Sequence, residues 1–487
     1  MGTRVLGFTL FALAGLLTHG TQAQAPDAGV DAAFDLVAAI ADGTPLTSEQ
    51  AAARAQEVAP SLERAEALTR AAEAGVARAR ALLWPRLDLS ARATHIDGFK
   101  DAHLGGLDDA TVAAIKAQSA QLADPEATQL WNAFIDKQAA GTVFKIPRNQ
   151  VGFSGRLNWP VSDTFFAIYP SIDAARANVR ASQAERDARN GRVRLTAREA
   201  FFQLAHARGT LAVAQRALLQ TQAQQTLIDA AVRAGIRAPS EAASAASRVA
   251  LADQALAGAE TAVDVADASL RSLLQQGDGP VYAISEPLIR NDAGPAPLSE
   301  LLDKARAQRP EVRGLRSAVE ARQHLTRSEK AAGYPHLGVY VGGDYAMPNR
   351  YQLPPRPEFQ PSWEVGATLT YAPNDTVNAQ RKVAESSAQI AALEAELGEL
   401  LRSLELEVRR SRATLSHSQR NIDAAKVAVL AAQAAYDRRM AELSAGEVVL
   451  ADLVASEQEL NVARLRELDA GIDQQLARVR LAYALGD

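Results

Sequence analysis

Cysteine is absent, which excludes a disulfide framework and any thiolate metal or redox site. Aromatic residues make up only 5% of the chain, too few to fill several globular cores, although 47% of its 487 residues are hydrophobic. Neither sign of charge dominates. The 52 Lys and Arg against 57 Asp and Glu leave −5, with no basic field to hold nucleic acid. After the N-terminal segment no run of about 18 apolar residues occurs, so no membrane-spanning helix is expected. His95, His103, His206, His324, His336 and His417 are scattered, with no pair at metal-ligand spacing. HExxH, GxxxxGK, GxGxxG and GxSxG are all missing, so no catalytic, cofactor-binding or metal residue is proposed and no enzyme is expected. Met347 and Met440 are the only methionines after the initiator, which argues against a methionine copper relay.

What the chain has instead is alanine. Ala is the strongest helix former and lets helices pack closely, so long helices are expected. The apolar fraction excludes disorder, and 30 Gly and 21 Pro exclude a collagen-like chain.

The N-terminus reads as a targeting segment. Arg4 precedes the apolar run Val5–Leu17, and small and polar residues then lead to Ala23-Gln24-Ala25. A charged start, an apolar core and an A-x-A site describe a secretory signal peptide over 1–25, with cleavage after Ala23 or Ala25 fitting equally well. The competing reading is an uncleaved anchor, but about 13 apolar residues fall short of the roughly 20 that span a bilayer. With no cysteine after the segment, a lipid anchor there is not expected.

Proline positions reveal an internal repeat. Ala59-Pro60 and Arg309-Pro310 lie 250 residues apart, as do Trp84-Pro85 and Tyr334-Pro335. Trp159-Pro160 matches Ala372-Pro373 at 213, and Gly235 matches Gly446 at 211, each glycine followed six residues later by an acid, Glu241 or Asp452. The offset falls because the first copy carries about 37 extra residues, an insertion near 100–148. This gives a linker over 26–46, a first repeat over 47–277, an inter-repeat linker over 278–297 and a second repeat over 298–487.

Each repeat opens with an amphipathic helix, expected over roughly 47–83 and 298–332 and stopped by the following proline. The period then becomes 2. Leu87, Leu89, Ala91 and Ala93 alternate with polar residues, as do Val151, Phe153, Gly155, Leu157 and Trp159. In the second copy Leu337, Val339 and Val341 alternate less cleanly around Tyr340, while Trp363 to Tyr371 alternates without a fault. These are strands with one oily and one wet face, expected over about 86–96, 151–161, 337–345 and 363–371. Very long helices follow, near 163–233 and beyond 373, with return helices over 240–276 and 447–485. Ile390, Leu393, Leu397, Leu400 and Leu404 step by three and four, the spacing of a coiled-coil seam.

Strands of about nine to eleven residues suit a tilted transmembrane β-strand, and Trp84, Trp159, Tyr334, Trp363 and Tyr371 stand at or near their ends, where interfacial aromatics belong. A small soluble sheet is the simpler alternative for any one strand. In a bilayer, four strands cannot stand alone, because an open sheet leaves backbone groups unpaired. Several chains must therefore join. The helices leave one side of the sheet, so the loops 97–150 and 346–361 lie on the other, outside the cell, and the helices lie in the periplasm.

At these residues the chain resembles the TolC-like outer membrane efflux protein family over essentially its whole mature length. The likeness is carried by the openings around Pro60 and Pro310, the junctions at Pro85 and Pro335, and Trp159-Pro160-Val161-Ser162-Asp163 with Tyr371-Ala372-Pro373-Asn374-Asp375. Most specific are the hairpin tips, Gly446 to Ala455 followed by Ser456-Glu457-Gln458-Glu459-Leu460, and more weakly Gly235 to Val249. The resemblance implies a mainly α fold with a β-barrel portion: a homotrimer whose twelve-stranded outer-membrane barrel continues into a periplasmic helical tunnel. It also implies docking to a periplasmic membrane fusion (adaptor) protein and an inner-membrane transporter, contact with outer-membrane lipid, and passive conduction in a tripartite efflux or type I secretion system. The tyrosine and arginine that latch the closed tip in the best-known member are replaced by Leu443 and Val448, and a further acidic position reads Ala455. Asp452, helped by Glu241, is instead expected to form an electronegative constriction favouring cations; the alternative is that both acids only favour the N-termini of the return helices. Gly235 and Gly446 are expected to supply positive φ at the turns. Partner docking is placed at the tips, on Arg233, Ala238, Leu443, Ser444 and Ala445. The rival overall reading is a periplasmic coiled-coil adaptor or structural protein with a soluble β domain. In the insertion, Trp131, Phe134 and Ile135 suggest a short helix over the pore mouth.

Overall fold

The computed structural model describes residues 43–98, 102–121, 124–144, 147–289, 294–353, 355–445 and 447–487. The signal segment 1–25 and residues 26–42 of the linker lie outside the described residues.

The end of the N-terminal linker forms β1 (Thr44–Leu46), and the first copy then runs α1 (Ser48–Val58), α2 (Pro60–Ala81), β2 (Arg86–His95), the insertion, β5 (Asn149–Trp159), α5 (Tyr169–Arg233) and α6 (Pro239–Leu274). Within the insertion lie β3 (Ala102–Leu104), α3 (Asp109–Ser119), α4 (Pro125–Ala139) and β4 (Thr142–Phe144). The inter-repeat linker carries β6 (Tyr282–Ile284), and the second copy runs α7 (Leu298–Gln308), α8 (Pro310–Ala331), β7 (His336–Met347), β8 (Gln360–Thr370), α9 (Pro373–Ala445) and α10 (Leu450–Leu485). Corresponding helices match in length: α1 and α7 have 11 residues, α2 and α8 have 22, and α6 and α10 have 36.

The single opening helices expected over 47–83 and 298–332 are each broken. Pro60 and Pro310 start second helices, and the preceding Ala59 and Arg309 are extended. Proline lacks the N–H for the helical ladder, and its ring crowds the residue before it out of the α region. At the start of α1 Thr47 caps the helix through a reciprocal pair, accepting from the Gln50 amide at 3.2 Å while its own amide donates to the Gln50 side chain at 3.1 Å.

The long helix of the first copy begins at Val161, passes through a π-helical stretch, Thr164–Ile168, and continues as α5 from Tyr169, with Pro170 in its first turn. Its counterpart α9 has 73 residues, about 110 Å of helix at roughly 1.5 Å per residue. The expected seam on α9 is half-buried within the chain at Ile390, Leu393, Leu397 and Leu400, and fully buried at Leu404.

The main sheet has the order β2-β5-β7-β8, with every pair antiparallel. Register places like with like. Leu87, Leu157, Val341 and Val365 form one apolar row, and Leu89, Gly155, Gly343 and Trp363 the next. Between them runs a polar row of Asp88, Arg156, Gly342 and Glu364. Trp363 is 80% and Leu89 76% exposed, so one face of the sheet is oily and uncovered, with polar His95 and Asn149 only at its loop end. At the helical end of that face Trp84, Trp159, Phe165, Phe166, Tyr169, Tyr334 and Tyr371 are exposed, and Phe166 meets Tyr334 edge-on at 5.6 Å. β2 and β8 are the sheet's edges, unpaired on their outer sides among the described residues.

The insertion holds two helices, one more than expected, carried on the antiparallel pair β3–β4. Ile135 is buried, Trp131 and Phe134 stack at 5.6 Å while half exposed, and the Ser119 hydroxyl donates to Asn132 at 2.7 Å.

Three buried clusters hold the helices. One, around Phe201, Phe202, Leu270 and Leu468, sits against the parallel pair β1–β6 at mid-length. A second joins α7, α8, α9 and α10 through Leu301, Val312, Val408 and Leu485. The third lies at the far end of the hairpins.

Candidate functional site

The far end is where both helical hairpins turn. α5 stops at Arg233, and Gly235 takes φ +74°. The Ile236 amide then reaches back to the Ala231 carbonyl at 2.9 Å and the Gly235 amide to that of Val232 at 3.0 Å. These reciprocal bonds satisfy carbonyls that the helix end would leave open, and a side chain at Gly235 would strain the left-handed backbone they need. Ala238 is the extended residue before α6, and Pro239 supplies the preset first helical position.

The second turn follows the same logic: the Glu447 amide donates to the Glu442 carbonyl at 3.0 Å, and Val449 is the extended residue before α10. Gly446 lies outside the described residues, as does the side chain of Ser444. Arg233, Ala238 and Ala445 are exposed on the two turns.

The two acids differ. Glu241 accepts from Arg237 at 2.7 Å, one helical turn away, so its charge is matched within its own hairpin. Asp452 is exposed in the first turn of α10. Among the described residues no ion pair joins Glu241 to Asp452, and neither side chain caps its helix by a hydrogen bond. Asp452 is thus the acid of the two without a salt-bridge partner among the described residues, and Glu447 near it is also exposed.

Behind the turns the two hairpins are welded together. Ile228 from α5, Ala245 from α6, Tyr436 from α9, and Leu453 and Leu460 from α10 are buried in one cluster, with Met440 and Leu443 packed on it. Leu443 is thus a packing residue. A cavity of about 410 Å³ opens beside it, lined by Leu227, Ile236, Arg237 and Met440.

A polar pair adjoins this weld that the sequence reading did not single out. Glu457 is 6% exposed and accepts from Gln224 Nε2 at 2.9 Å. Burial pushes its carboxyl above the ordinary value, against the pull of the Gln224 hydrogen bond and the Arg248 charge. Burial likewise raises the Tyr436 phenol, with Glu457 adding to it, and lowers the Arg464 guanidinium. Arg464 donates to Gln433 at 2.8 Å. The available signal was spacing: Glu457 and Arg464 follow Leu453 and Leu460 by four residues each, so they recur on the heptad beside a buried leucine.

The sequence pattern of the outer membrane efflux protein family matches residues 51–276 and again 301–487. The chain belongs to this family. It is an outer-membrane efflux channel, and the adaptor reading with a soluble β domain is set aside. Solved channels share the efflux-protein fold. The Campylobacter jejuni outer membrane channel CmeC is 14% identical with a TM-score of 0.69, covering 90% of this chain and 85% of its own. The Vibrio cholerae outer membrane protein VceC is 15% identical at 0.69, covering 90% and 96%. The open state of the Neisseria gonorrhoeae channel MtrE is 17% identical at 0.67, covering 94% of each. No curated protein matches the chain by sequence. The two family matches fall one in each copy of the repeat, with the inter-repeat linker between them.

Proposed function

We propose that three copies of this chain close a twelve-stranded barrel in the outer membrane and join their helices into a tunnel through the periplasm. The observation that carries this reading is the main sheet: four strands with one oily face, one polar face and two edges unpaired among the described residues. In a bilayer each edge must find a partner, and β2 of one copy meeting β8 of the next satisfies both. The oily face then contacts lipid, the exposed Trp and Tyr at its helical end sit at the inner interface, and the polar face lines the lumen.

Nothing in this arrangement consumes energy or changes a bond. The chain is a passive exit duct, filled by an inner-membrane transporter through a periplasmic membrane fusion protein that docks on the tips around Arg233, Ala238, Leu443, Ser444 and Ala445. Residues 1–25 direct its export. At the tip, three copies of Asp452 form the acidic constriction; Glu241 contributes less because Arg237 holds it. Detergent-extracted protein inserted into planar bilayers tests the reading: it should form long-lived, cation-preferring channels. Protein that inserts and never conducts would refute it.

A further inference from the structure

The connection between β7 and β8 does not stand clear of the sheet. It folds back onto the polar face. Asn349 is 4% exposed, and its Nδ2 donates to the Gln360 carbonyl at 2.9 Å and to Ser362 Oγ at 3.2 Å. The next two residues reach further down. Arg350 donates to Asp344 at 2.9 Å and stands 3.4 Å from Glu364, and the Tyr351 hydroxyl donates to Glu364 Oε2 at 2.8 Å. Asp344 lies three residues below the end of β7, so the loop is tied about 10 Å down the strand at roughly 3.3 Å per residue.

The anchorage is built into the sheet. Glu364 stands opposite Gly342, which stands opposite Arg156, and Arg156 donates to the other Glu364 oxygen at 2.5 Å. The Arg156 guanidinium in turn lies 4.6 Å over the Tyr340 ring. That ring occupies the space above Gly366, where any Cβ would fall 2.7 Å from it. Each cation of the group, Arg156 and Arg350, faces an acid, Asp344 or Glu364, so the assembly is charge-balanced.

We infer that this loop is a clamp at the outer mouth. Arg350 and Tyr351 fasten it to Asp344 and Glu364 on the lumen-facing side, so that its threefold repeat narrows the barrel and sorts solutes by size. The inference rests on the proposed reading that the polar face lines a lumen. It adds a second constriction in series with the acidic tip, one that selects by width because its charges cancel.

The test uses full-length protein in planar bilayers. The Arg350→Ala/Tyr351→Phe double variant should conduct at least about 1.5-fold more than wild type, as expected when a loop leaves a narrow section of a pore, and should shift toward cations because Arg156 alone then faces Asp344 and Glu364. Adding Asn349→Cys and Ser362→Cys to that variant, in a chain with no other cysteine, should restore wild-type conductance on oxidation and lose it on reduction. A conducting wild type with an equally conducting double variant overturns the clamp alone. So does a cysteine pair that fails to oxidise, or one that oxidises without restoring conductance. A wild type that never conducts overturns the duct reading and the clamp with it.

Discussion

Gln224 on α5 donates a 2.9 Å hydrogen bond to Glu457 on α10, across 233 positions of sequence and across the seam between the two hairpins. A buried carboxyl is costly when charged, so this pair makes the packing of the tip depend on protonation. Burial raises the Glu457 pKa above its ordinary 4.5. Between 4.5 and the raised value the folded state holds a proton that the unfolded state releases. Stability is thus fully present below 4.5 and is lost as pH rises through the folded value. Glu457→Gln removes the charge and keeps the shape. It should stabilise the tip at pH 7 by about 1–3 kcal/mol, with the gain vanishing below pH 4.5. Amide exchange of α10, corrected for intrinsic rates, at pH 7 and at pH 4 measures this.

Charge at the tip makes a second prediction, with opposite signs at two residues. Asp452→Ala should weaken cation preference in single-channel recordings. Arg237→Ala frees Glu241 from its 2.7 Å partner and should strengthen it. Unchanged preference in both variants would leave the acids as helix-end residues only.

Arg309 makes a third. It is 8% exposed at the break between α7 and α8, pairs with Glu311 at 2.9 Å and Glu407 at 3.4 Å, and lies 4.1 Å over the Tyr483 ring. Arg309→Ala strands two acids and uncovers the ring. It should cost about 1–3 kcal/mol, since the two acids left behind are partly open to solvent, seen as a lower midpoint in thermal unfolding of the extracted protein. Arg309→Lys should recover only part of the loss, since an ammonium cannot serve the forked contacts.

Docking at the tips is checked by single cysteines. Ala238→Cys and Ser444→Cys, carrying a short photocrosslinker, should capture a membrane fusion protein in cells, while a cysteine at exposed Leu251 on the shaft of α6 should not. Equal capture at all three positions, or at none, would contradict the placement.

Much of this architecture is legible in the sequence, because backbone periodicity is local. Alternation at Leu87 to Ala93 and at Trp363 to Tyr371 marks strands, and the paired prolines mark the duplication. Gly235, six residues before Glu241, marks a turn. Proline carries two signals at once: Pro60 and Pro310 mark the repeat and also break its first helix. The site was less visible. That Arg237 neutralises Glu241 depends on a side chain folding forward over one turn. The Glu457 pair needs two helices brought together from opposite ends of the chain. The return of Arg350 and Tyr351 onto Asp344 and Glu364 depends on the path of a loop that no periodicity describes. The first is a local contact settled by side-chain rotamers, and the other two are decided by tertiary packing, which local pattern does not encode.

The central claim is that the four strands of each chain complete a membrane barrel only with other copies. Fractionation followed by electrophoresis of unheated and boiled samples tests it most directly. The account predicts that the protein sediments with the outer membrane, resists salt extraction, and runs as a trimer until boiling collapses it to a monomer. A soluble periplasmic protein running as a monomer with or without heating would contradict it.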